Sequence, residues 1–374
     1  MTGIQQVLDR AVAAEDLPYV VAMAGTSDGV HFSGASGAAE NTVFRIYSMS
    51  KAIGSLAAMI LIDRGALTME TPVAEVLPDW DGLQVLEGFD GEEPVLRAPR
   101  TVATIRHLAT HTSGLEYDHW CANALQYVRL TGARLAPSGL LSSLGFPLMS
   151  DPGTRWGYGT STDWLGRVVE AVDGRSIDAF CRDEIFDPLG MEDTRFEPDG
   201  LEARLRPAYR RTREGGLRNV DIAPPAHPEF YGMGHALYST AADYMRFLRM
   251  ILRGGELDGA RVLSAVAVDA MCADQMQGLT VQPMLSVEPG VAADVDLFPG
   301  TRITHAFAFP RYEEAMEGRR SAGSMGWAGI CNTHYWLDPA RDVAAVLMTQ
   351  SLPFAEPRFM QTYDAFERAV YAEL

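Results

Sequence analysis

Residues 44–51 read Phe-Arg-Ile-Tyr-Ser-Met-Ser-Lys, and the next eleven, AIGSLAAMILI (52–62), are nearly all apolar. From Ser50 to Arg64 the spacing predicts a helix, with Ile53, Ala57, Ile60 and Leu61 on one face and Gly65 as its stop. Ser48 and Lys51, three apart at the helix start, then share a face one turn apart. A helix N-terminus carries positive potential, which favours a developing oxyanion and disfavours a protonated amine. Partial burial acts on the lysine in the same direction, so a neutral Lys51 could take the Ser48 proton. An S-x-x-K pair on its own equally describes a helix cap followed by a solvated lysine. Composition tilts the choice: of 31 Lys and Arg residues, Lys51 is the single lysine. Arginine cannot lose its proton in a protein, whereas a desolvated lysine can.

The rest of the composition bounds the function. The chain has 374 residues, 47% hydrophobic, enough for one large core or two smaller ones. A net charge of -18 argues against nucleic acid or an anionic membrane surface as partner, since both are bound through clustered cations. The run 52–62 is too short to span a bilayer. The N-terminus carries Asp9, Arg10, Glu15 and Asp16 where a secretory signal would be apolar, so a soluble, cytoplasmic protein is expected. Cys121, Cys181, Cys272 and Cys331 are scattered without disulfide or metal spacing and read as small buried hydrophobes.

Working outward from the helix, residues 4–16 read as an amphipathic helix. VVAMAG (20–25) and VHFSG (30–34) read as a hairpin around Asp28-Gly29. Residues 163–172 and 241–252 are helical. The first is capped by Thr160, Ser161 or Thr162 and closed near Gly174, and the second is closed by Gly254-Gly255. Residues 326–331, 333–337 and 343–348 read as strands, with a turn at Asp338-Pro339, before a final helix over 356–374. Strands from both termini with helices between them predict an α+β fold. The expected organisation is a discontinuous sheet domain over 1–75 and 226–374 with a mainly helical region over 76–225.

FRIYSMSK, LATHTSGL (108–115), DPGTRWGYG (151–159), DPLGMEDT (187–194) and STAADYMRF (239–247) occur in order along most of the chain. Together they resemble the landmarks of the serine β-lactamase-like hydrolases, which include class C β-lactamases, DD-peptidases and family VIII carboxylesterases. The resemblance implies a β-lactamase/transpeptidase-like α+β fold, an antiparallel sheet flanked by helices plus a mainly helical second region. It implies Ser48 as the acylated nucleophile, Lys51 as its base partner and Tyr158 in a shared proton network able to protonate the leaving group. The family's third motif is matched best by Trp327-Ala328-Gly329. That strand would wall the site, and the Ile330 amide would join that of Ser48 in an oxyanion hole. Two departures stand out. Trp327 replaces the family's usual cation, and Thr160 replaces the asparagine of the second motif. Both remove handles for anionic, peptide-like substrates, and Trp-x-Gly is similar to the third motif of family VIII carboxylesterases.

The expectation is therefore a serine carboxylesterase acting on a short-chain, small-molecule ester without metal or cofactor. Trp327, Ala328, Gly329 and Thr160 would bind substrate. A β-lactamase or D-amino-peptide hydrolase, or an acyltransferase, would use the same machinery, and a non-catalytic ligand-binding protein is the alternative of another class. Gly25-Thr26-Ser27-Asp28-Gly29 fits G-x-S-x-G, but lies in a strand–turn–strand context rather than a nucleophile elbow. His107 and His111 have helix-face spacing without a third metal ligand. His235 reads as structural or cleft-lining, Trp156 as packing, and residues 275–320 as loops over the site.

Overall fold

The computed structural model describes residues 3–296 and 298–374. Seven strands form its main sheet: β1 (Val20–Gly25), β2 (Val30–Ser36), β3 (Ile303–His305), β4 (Pro310–Tyr312), β5 (Met325–Gly329), β6 (Thr333–Asp338) and β7 (Val343–Met348). Their order is β3-β4-β5-β6-β7-β1-β2, and every neighbouring pair is antiparallel. The N-terminal hairpin thus completes a sheet begun by the C-terminal strands, with Val21 opposite Met348 and Ala24 opposite Ala345.

β1, β6 and β7 are buried at every position. β1 and β7 read as continuous apolar runs because helices cover both faces, whereas β6 also buries Thr333, His334 and Asp338. The pleat divides them: Val20, Ala22 and Ala24 pack with Ala345 and Leu347 against α1 (Gly3–Ala13) and α5 (Pro357–Glu373) through Ile4, Leu8, Phe359 and Phe366. Val21, Met23, Val346 and Met348 face the larger core, which holds Tyr244 and Phe247 of α4 (Ala241–Leu252). That core also takes in Ile60, Trp80, Leu108 and Val168, so the 76–225 region shares its interior with the sheet.

α2 (Ser50–Asp63) differs from its one-faced sequence pattern. Every residue from Ser50 to Leu61 is buried, because the helix runs through the middle of the molecule against α3 (Ser161–Asp173) and the neighbouring loops. Several strands lay outside the sequence reading, among them a hairpin of Ala208–Arg211 with Leu217–Val220. Residues 85–97 form a hairpin, Val85–Asp90 with Glu93–Arg97, inside the region read as helical. Residues 275–320 supply β3 and β4, each three residues long, so β5 has a neighbour beyond it in the sheet. The described contact between β4 and β5 pairs Arg311 with Met325, at the end of β5 away from Gly329. Among the described residues no helix is long and apolar enough to cross a membrane. The four cysteines are free; Cys181 and Cys331 are buried, while Cys121 and Cys272 are half-buried.

Candidate active site

Ser48 lies in a single 3-10 turn, Tyr47–Met49, that runs directly into α2. The turn is held on several sides. Tyr47 adopts φ +43°, the Ile46 amide donates to the Leu237 carbonyl (3.0 Å), and the Tyr244 hydroxyl donates to the Met49 carbonyl (3.0 Å). A β-carbon on Gly329 would lie 2.3 Å from the Ile46 carbonyl oxygen, so only glycine lets β5 approach the Ser48 turn this closely.

At the second position of α2, Lys51 is 4% exposed, and its Nζ has three partners among the described residues: Ser48 Oγ at 3.1 Å, Tyr117 Oη at 3.0 Å and the Gly234 carbonyl at 2.8 Å. Burial lowers the amine from 10.5 to about 7, against the opposing pull of Asp163. An ammonium can donate to all three partners. A neutral amine can still donate to Gly234 and Tyr117 while its lone pair faces the Ser48 hydroxyl.

Tyr158 lies across the same pair. Its oxygen accepts a hydrogen bond from Trp327 Nε1 (2.9 Å) and also hydrogen-bonds Ser48, and Lys51 Nζ is 4.9 Å from its ring centre. Burial raises the Tyr158 phenol above its ordinary value despite those two hydrogen bonds, and burial raises Tyr117 well above its own. Both are therefore protonated phenols near neutrality, suited to passing or donating a proton.

Ser48 is half-buried and opens into a cavity of about 180 Å³ lined with Tyr47, Tyr117, His119, Pro137, Tyr158, Ala223, Pro224, His235 and Ile330. This lining is aromatic and apolar and contains no arginine, the residue that would best grip a carboxylate. Ser48 and Ile330, the two residues expected to supply oxyanion-hole amides, meet on this cavity. Thr160, Ala328 and Gly329 are buried and do not line it. Thr160 is the N-cap of α3, and Gly329 packs against the Ser48 turn. Trp327 reaches the Ser48 cavity through Tyr158. Its ring also lines a second cavity of about 280 Å³, with Met284, Val295, Arg302, Ile303 and Tyr312. Part of the 275–320 stretch thus stands beside the site through Trp327.

The remaining candidates are placed as follows. His235 lines the Ser48 cavity with Nδ1 3.5 Å from Asp163 Oδ1, and Trp156 stacks over Tyr158 at 6.2 Å. Ser27 sits in the β1–β2 turn, where its hydroxyl donates to Asp342 (2.7 Å). His107 Nδ1 accepts from the Thr104 amide, capping a short helix, while His111 packs 4.9 Å from Tyr158. Among the described residues no group of three or more His, Cys, Asp or Glu could hold a metal ion.

Tyr117, Asp163 and Gly234 were missed in the sequence. Tyr117 follows the LATHTSGL stretch by two positions, yet its contact with Lys51 spans 66 residues, and no spacing rule reaches that far. Asp163 looks like an ordinary acid in the first turn of a helix.

The chain is 29% identical over 353 residues to the acyltransferase calJ of Penicillium decumbens, covering 91% of this chain and 83% of that protein. It is 28% identical over 331 residues to the lovastatin esterase of Penicillium rubens, covering 83% of this chain and 80% of the other. The solved structure of simvastatin synthase (LovD) from Aspergillus terreus, LovD6 mutant, superposes with a TM-score of 0.85 at 26% identity, covering 99% of this chain and 96% of that one. The model of the Beta-lactamase family matches residues 4–369, nearly the whole chain, and the protein belongs to that family of serine hydrolases and acyltransferases.

Proposed function

We propose that this protein moves acyl groups between neutral oxygen esters and an apolar alcohol through an acyl-Ser48 intermediate, with hydrolysis as the competing outcome. The observation that carries the reading is the combination of the Ser48–Lys51–Tyr117–Tyr158 cluster with an apolar cavity free of arginine. In the first half-reaction Ser48 Oγ bonds to the ester carbonyl as its proton passes to neutral Lys51. The tetrahedral oxyanion is held by the Ser48 and Ile330 amides. The bond to the leaving oxygen then breaks, and that oxygen receives a proton from Tyr158, which Lys51 reprotonates. In the second half an acceptor hydroxyl attacks the acyl carbon, gives its proton back along the same route, and Ser48 leaves as the hydroxyl.

A short-chain carboxylesterase, with water as acceptor, uses the same steps. The lovastatin esterase relative and Trp327 in place of a cation favour it. The apolar cavity and the acyltransferase relative favour an alcohol. The test is a partition assay: wild type and Ser48→Ala on p-nitrophenyl butyrate, with and without an apolar secondary alcohol, and separately on a chromogenic cephalosporin. Formation of the butyrate ester of the alcohol, lost in Ser48→Ala, is expected. Butyrate as sole product at saturating alcohol makes the protein an esterase, and efficient cephalosporin cleavage overturns both readings.

A further inference from the structure

Asp163, on the first turn of α3, is fully buried. Its Oδ1 accepts the Gly234 amide at 2.8 Å, and the carbonyl of the same residue accepts from Lys51 Nζ at 2.8 Å. A β-carbon on Gly234 would stand 2.8 Å from that Oδ1, so the loop is wrapped tightly around the carboxylate. Oδ2 has no hydrogen-bond partner among the described residues. An unpartnered carboxylate oxygen this deep is expensive unless a nearby charge offsets it. Lys51 is faced by Ser48 from its own turn, by His111 and Tyr117 from the loop after residues 105–109, by Tyr158, by Asp163, and by His235 beside Gly234. Burial keeps both phenols and His111 uncharged near neutrality, and the coulombic influence on Lys51 comes from Asp163.

We infer that Asp163 is the positioning residue of the Ser48–Lys51 pair: it fixes the Gly234 carbonyl that orients the amine and supplies the counter-charge against which Lys51 gains and loses its proton. The assignment rests on the reading of Ser48 and Lys51 as the acylating pair. Because the chain has one lysine, growth on lysine carbon-13-labelled at Cε gives one NMR signal, a direct titration of Lys51 that needs no turnover. Asp163→Asn keeps an acceptor for Gly234 and removes the charge. Its Lys51 midpoint should fall by about one pH unit or more below the wild-type midpoint near 7. The pH limb for fluorophosphonate labelling of Ser48 should move with it. An unmoved midpoint with slower labelling would make Asp163 merely structural and overturn the inference. Asp163→Ser serves as second variant. If neither variant folds, Asp163 is a folding residue and the assignment fails. A wild type that titrates as described yet never labels at Ser48 would instead sink the acyl-transfer reading.

Discussion

Replacing Lys51 with methionine should remove a group that destabilises the native state to a degree set by pH. An amine at 10.5 in the unfolded chain and about 7 in the folded one binds more protons unfolded than folded between those values. Native stability therefore rises with pH across that window, by up to 1.36 kcal/mol per pH unit. The destabilisation is about 4 kcal/mol at pH 7 and about 2 kcal/mol at pH 9, and it is gone above 10.5. The hydrogen bonds to Ser48, Tyr117 and Gly234 are lost in Lys51→Met, which shifts the absolute gap between the two proteins but not its pH slope. Urea unfolding of wild type and Lys51→Met at pH 7, 8 and 9 isolates that slope, because other titrating groups cancel in the comparison. Wild type should gain about 2 kcal/mol on the variant from pH 7 to 9. A gap constant to within about 0.5 kcal/mol would mean that Lys51 keeps an ordinary proton affinity, and the case for it as a base would collapse.

The same proton affinity predicts that kcat/KM on a neutral ester rises with unit slope to a plateau, with its midpoint near pH 7, as Lys51 becomes neutral. Lys51→Arg should be inactive at every pH, and measurable turnover in that variant would exclude proton transfer to residue 51. Tyr117→Phe removes the hydroxyl 3.0 Å from Lys51 Nζ and should lower kcat/KM about tenfold while shifting stability by no more than about 1.5 kcal/mol; wild-type kinetics would take Tyr117 out of the proton network. Trp327→Phe keeps an aromatic ring but loses the donor to Tyr158, so kcat should drop several-fold with the pH midpoint unchanged, and a displaced midpoint would contradict this wiring. Gly329→Ala forces a β-carbon onto the Ile46 carbonyl and should destabilise by about 1–3 kcal/mol and slow turnover; a thermal scan superimposable on wild type would refute the close approach.

Much of the scaffold was legible because its signals are local. The Asp28-Gly29 turn between β1 and β2 and the fully apolar run of β7 announce their elements within a few residues, as does the glycine stop of α4. The hairpin at 85–97 has the same Asp-Gly signal, Asp90-Gly91, with Gly91 at φ +62°, but its exposed, irregular strands hide the period. β3 and β4 are too short for any period to show, and pairing in the sheet alone makes them strands. α2 reads as one-faced only if its surroundings are assumed to be solvent, and burial on all sides is decided by what the rest of the chain packs around it.

For the site, the sequence by itself determined the Ser48–Lys51 pair. Residues three apart on a helix must be neighbours, and a lone lysine among thirty arginines is the one such cation able to give up its proton when desolvated. Tertiary structure alone decided what surrounds that pair. The burial that brings Lys51 down to about 7, the Tyr117 hydroxyl, the Gly234 carbonyl and the Asp163 carboxylate arrive from segments 66 or more positions away. Proton affinity is set by desolvation and by charges a few ångströms distant, quantities that exist only once those segments have closed around the helix.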